Sequence, residues 1–148
     1  MKFKFRLMTL LRHKKRLRDE AMKAFAEAQA EVNEKLSEID YLFSIITESR
    51  NYAHGFEKQA AFKTTIHEYT DAYIRGVKRQ IEESRLQARE LMLVMEEKQE
   101  ALIEATREVK SIEKLRDKQK ERFLKEKKKK ENKLVDENVM VRVGRSWT

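Results

Sequence analysis

The sequence predicts an all-α fold: a long antiparallel two-helix coiled-coil hairpin in which the second helix overhangs the first. Three observations carry this expectation. Across 148 residues there is no proline and there are only three glycines, while 41% of the side chains are charged, so the residues that punctuate compact layered folds are nearly missing. Two apolar seams recur at steps of three and four, the spacing of a coiled coil. Between them lies one stretch, Asn51 to Phe56 (NYAHGF), with the composition of a turn.

The first helix is expected over about residues 4–50. Its seam runs through Phe3, Leu7, Leu10, Lys14, Leu17, Ala21, Ala24, Ala28, Val32, Leu36, Ile39, Phe43 and Ile46. Between Ala24 and Ile39 steps of four follow one another, a stutter centred near Val32 that would locally relax the supercoil. The turn is expected over about residues 51–57.

The second helix is expected over about residues 58–136, on a seam through Phe62, Ile66, Tyr69, Tyr73, Val77, Ile81, Ser84, Ala88, Leu91, Met95, Lys98, Leu102, Ala105, Val109 and Ile112. It carries its own stutter near Val77. The midpoint between Val32 and Val77 falls at the His54/Gly55 junction, which predicts a fold-back there and sets Phe3 opposite Thr106. Residues from Arg107 onward would then project past the N-terminus, with weaker apolar spacing through Leu115, Phe123, Leu124 and Leu134 keeping them helical. Residues 137–148, with Gly144 and no helical period, read as a flexible tail. The whole chain reads as one hairpin domain that buries only one stripe of each helix.

Charge is segregated along this hairpin. Residues 1–18 hold eight Lys or Arg and no acid, and residues 118–133 hold nine against three Glu; residues 19–117 hold fifteen basic and twenty-one acidic side chains. The antiparallel arrangement therefore predicts a basic end carrying both termini, and a field of that kind orients a molecule approaching an acidic partner. Lys127 to Lys130 form an unbroken run whose like charges repel along a helix. A nucleic acid is a competing partner for such a run, but no reading module accompanies it, so specific nucleic-acid binding is not expected.

Chemistry is not expected from this chain. There is no cysteine to form a disulfide or a thiolate metal site, and no glycine-rich phosphate loop. His13, His54 and His67 are far apart in sequence and lack a second ligand at metal spacing. Acidic pairs such as Glu82/Glu83 and Glu96/Glu97 read as solvated helix faces. No enzyme activity, cofactor or metal is expected. No apolar run approaches the ~20 residues of a membrane span, and Lys2 to Arg18 lack the apolar stretch and cleavage site of a secretory signal, so integral membrane insertion is not expected. Tyr41, two residues from the seam position Ile39, and Tyr73, where the second seam drifts, are candidate outward anchors.

The opening Phe3-Lys4-Phe5-Arg6-Leu7-Met8-Thr9-Leu10-Leu11 followed by a basic helix, with Ile112-Glu113-Lys114-Leu115-Arg116 and Lys133-Leu134-Val135-Asp136-Glu137 near the other end, resembles the flagellar export protein family FliJ. The resemblance covers nearly the whole chain. It implies a component of the flagellar type III export apparatus, cytoplasmic and peripherally associated with the inner membrane at the flagellar base. The end carrying both termini would act as a stalk entering the hexameric export ATPase, and the same chain would contact the membrane export gate protein and handle export chaperones. Carried onto this sequence, the ATPase-binding tip comprises Phe3, Phe5, Arg6, Leu10, Arg12, Lys14, Lys15, Leu115, Arg116, Lys127, Lys128, Lys129, Lys130, Asp136 and Glu137. The export-gate contact comprises Tyr41, Ile45, Tyr73 and Val77.

Overall fold

A computed structural model describes residues 2–56, 58 and 63–146, with the side chain of Ser146 left aside. Two helices make up the fold, α1 (Met8–His54) and α2 (Lys63–Ser146), and no strand occurs among the described residues. They form an antiparallel all-α hairpin. The seam position Phe62, and position 57 of the expected turn, lie outside the described residues.

The helix boundaries differ from the expected ones at the start of α2, where Lys58 lies in a turn and the helix begins at Lys63, and in three further places. At the start, the Met8 N–H donates to the Phe5 carbonyl (3.2 Å), a tight i→i−3 bond, and Leu11 N–H to the Leu7 carbonyl (2.9 Å), so residues 4–7 precede the helix. At its end α1 runs on through Asn51–His54, four residues that the sequence assigned to the turn, and closes with Gly55 N–H on the Asn51 carbonyl and Phe56 N–H on the Ala53 carbonyl, both 3.1 Å. No described glycine takes a positive φ, and the Tyr52 and Phe56 rings meet edge-on with centroids 5.0 Å apart over this end. In α2, residues 137–146, expected as a flexible tail, continue the helix.

The chain divides into two compact units, one of Glu20–Leu102 and one of Met1–Asp19 with Ile103–Thr148. In the first, which carries the turn, Ile39, Ile46, Ile74, Val77, Ile81 and Ala88 form a continuous core with Leu42 and Ile45 packed on it. The covered seam positions of α1 here are 21, 25, 28, 32, 35, 39, 42, 46, 49 and 53, with 24 and 45 covered beside them, and those of α2 are 67, 70, 74, 77, 81, 84, 88, 91 and 95, with 66, 92 and 102 also covered. Both seams alternate three and four without interruption. Neither expected stutter is present.

The reason lies in side chains that apolarity alone misassigns. Lys35, with its side chain only 21% exposed, takes the seam place given to Leu36, laying its aliphatic stem inward while its Nζ reaches Glu38 Oε2 at 2.8 Å. Thr70 and Ile74 take the places given to Tyr69 and Tyr73, whose phenols stand outward in water. Phe43, also expected on the seam, lies at its edge under the Arg85 guanidinium, 5.4 Å from the ring centroid, a contact worth about 0.5–1 kcal/mol at an exposed site.

In the terminal unit, Phe5, Leu11 and Val109 form the core, with Phe3, Leu7, Met8 and Ile112 packed against it. Leu11 and not Leu10 is the buried leucine. Lys14 Nζ bridges to Glu108 Oε2 at 2.8 Å and Lys15 Nζ to Glu113 Oε1 at 3.9 Å. The Phe3 ring lies 5.6 Å from that of Phe123, not opposite Thr106. Within α1, Lys14 meets Glu108 where the expected register placed Met95, a displacement of nearly two heptads, about 20 Å along a helix axis. The segment from Arg107 to Phe123, expected to project alone, is paired with the start of the chain.

Candidate functional site

Beyond Phe123 α2 has no helix beside it in the terminal unit. From Leu124 to Arg145 every residue is exposed, including Leu134 (58%) and Met140 (76%). The covered phase of α2 continues into this extension at helical spacing: Phe123, Lys127, Lys130 and Leu134 lie along one side and line, with Glu126 and Glu131, a groove of about 200 Å³. Lys125 is drawn to Glu121 (3.2 Å), whereas Lys127, Lys128, Lys129 and Lys130 enter no ion pair among the described residues. A helix with that side unpaired and that charge uncompensated can bind an acidic surface bearing apolar sockets.

The other tip residues divide by environment. Arg6, Leu10, Arg12, Leu115, Asp136 and Glu137 are exposed. Phe3 and Arg116 are half-buried and share a groove with Phe5, Met8, Asp117 and Lys120. Phe5, only 7% exposed, belongs to the core and presents little to a partner, and Lys14 and Lys15 already face Glu108 and Glu113. The first turn of α1 contains no acidic residue, so the positive end of its macrodipole is not offset and adds to the cationic field of this unit.

In the turn-side unit the four tyrosines of the chain are all exposed: Tyr41 at 64%, Tyr52 at 68%, Tyr69 at 75% and Tyr73 at 55%. Tyr52, Tyr69 and Tyr73 line one shallow groove of about 480 Å³ with Glu48, Ser49 and Thr70. Tyr41, Ile45 and Tyr52 recur on α1 at spacings that share a helix face. The sequence places Tyr69 on the seam and Tyr52 in the turn and so misses both; the i, i+4 spacing of Tyr69 to Tyr73 and the continuation of α1 through His54, which carries Tyr52, are the signals that recover them. Of the other expected gate residues, Ile45 packs on the core and Val77, 4% exposed, is part of it, so Val77 supports this surface from beneath.

His54 and His67, distant in sequence, line one groove with Asp71. Among the described residues no cluster of His, Cys, Asp or Glu is suited to a metal ion, and no helix is long and apolar enough to cross a membrane. Among known families, the one described as flagellar FliJ protein matches residues 3–147. No curated protein and no solved structure matches the chain.

Proposed function

Because the chain belongs to the flagellar FliJ protein family, and so is a protein related to flagellar export, we propose that it acts without catalysis as the stalk-like partner of the hexameric export ATPase. The basic extension of α2 enters the ATPase ring and promotes its assembly, with Arg6, Arg12 and the start of α1 completing the cationic surface. The tyrosine face of the turn-side unit, Tyr41 and Tyr73 joined by Tyr52 and Tyr69, contacts the membrane export gate and couples it to the ATPase and to export chaperones. The protein works in the cytoplasm, peripherally at the inner membrane.

The observation that carries this reading is the helix beyond Phe123, without a neighbouring helix in its unit and bearing four consecutive lysines that form no ion pair among the described residues. A lysine run that forms no ion pair among the described residues is available to an external acidic socket, and exposed aromatics on the other unit supply the contact area that anchors a second partner. Reversing the charge of Lys127, Lys128, Lys129 and Lys130 to Glu is expected to weaken ATPase binding at least about tenfold and to abolish stimulation of hydrolysis, with the helical circular-dichroism signal unchanged. Undiminished stimulation by the reversed variant would remove the socket from the proposal.

A further inference from the structure

The turn-side unit carries a groove of about 570 Å³ between the two helices, floored in part by Leu91 and Val94 and rimmed by four carboxylates, Glu31, Glu34, Glu38 and Glu90, against one cation, Lys35. Val94 is 43% exposed, and the carboxylates stand in solvent; only Glu38 has an ion-pair partner among them, Lys35. A two-helix coiled coil leaves such a trough along its flank. A third helix fills it when its own side chains are apolar toward the floor and opposite in charge toward the rims.

The terminal unit presents a helix of that description. Leu134 follows Lys127 and Lys130 on one side of the α2 extension beyond Phe123, which is packed on Phe3, and neither lysine has an ion-pair partner among the described residues. Two extensions cannot sheathe one another, because their lysine runs would face like charge. An acidic trough can sheathe one. We propose that this chain self-associates by seating the α2 extension of one copy in the acidic-rimmed groove of a second copy, Lys127 and Lys130 between the Glu31, Glu34 and Glu90 carboxylates and the exposed Leu134 over Leu91 and Val94.

The contact joins two different surfaces, so copies associate head to tail unless two of them exchange extensions and close a dimer. Seated this way Lys127 and Lys130 are covered, and self-association competes with engagement of the export ATPase. That competition rests on the proposed function, whereas the seating does not.

Sedimentation equilibrium of the full chain tests the seating. At about 0.1 M salt the wild-type chain is expected to self-associate with rising concentration, and at about 0.5 M to return toward monomer as the rim charges are screened. Glu34→Lys with Glu90→Lys, and separately Lys127→Glu with Lys130→Glu, are each expected to raise the dissociation constant at least about tenfold, with circular dichroism unchanged because all four side chains are exposed. An equimolar mixture of the two variants is expected to associate again, since each supplies the charge that the other faces. A wild-type chain that stays monomeric at low salt, association that survives both double substitutions, or a mixture that fails to restore it overturns the proposal. The groove variant keeps its extension, so loss of its ATPase stimulation would count against the socket and not against the seating.

Discussion

At the residue scale the outcome at neighbouring leucines shows what decides burial. Leu10 and Leu11 are the same residue type, adjacent in sequence, yet Leu11 is 1% exposed in contact with Val109 while Leu10 is 40% exposed. Leu11→Ala is expected to cost roughly 3 kcal/mol, the transfer and cavity terms of a buried leucine, and Leu10→Ala under about 1 kcal/mol, read from urea unfolding midpoints at unchanged slope. Equal costs would place Leu10 in the seam after all. The Lys14–Glu108 pair, partly exposed on both sides, adds only about 0.2–1 kcal/mol. It helps specify which residues face one another more than it stabilises the unit.

At the element scale two features of α2 follow from helix energetics. Gly76 lies in the helix interior, and a Cβ built there meets nothing within 4 Å. Gly76→Ala is therefore expected to stabilise the chain by about 0.5–1 kcal/mol through backbone entropy alone, seen as a higher thermal midpoint; a lower midpoint would mean that this face is already occupied. The second feature is the persistence of helix through Val141-Arg142-Val143-Gly144 to Ser146. Those residues have poor propensity and no helical period, so a reading of local pattern ends the helix near Asp136. Propagation of an existing helix costs only tenths of a kcal/mol per β-branched residue and about 1 for glycine, because the nucleus has already been formed upstream. The same reasoning accounts for α1 running through Asn51–His54. Helix identity was legible in the composition, whereas the ends were not, because a turn-like composition does not halt a helix that is already growing.

At the scale of the whole molecule the register of the hairpin was the quantity out of reach. Mirrored stutters predict a fold-back near His54, and α1 ends there, but the covered seam of the turn-side unit holds no stutter and the pairing is displaced. In the terminal unit, spin labels at positions 14 and 108 are expected within about 20 Å of each other, and labels at positions 3 and 106 at least about 25 Å apart, since Phe3 lies at Phe123. The reverse ordering would restore the displaced register. The candidate surfaces divide in the same way: the lysine run of the α2 extension was legible because consecutive charge cannot be buried in a two-helix seam, whereas the groove of Tyr52, Tyr69 and Tyr73 appears only once the two helices are set side by side. The sequence by itself determined an all-α hairpin, its family and the separation of basic from acidic stretches, since these depend on composition, motif order and periodicity along a single chain. Only the tertiary structure decided which face of each helix turns inward and which residue meets which across the pair. A seam that repeats every seven residues presents nearly the same pattern after a shift by whole heptads, and the choice falls to particular contacts such as Leu11 on Val109 and Phe3 on Phe123.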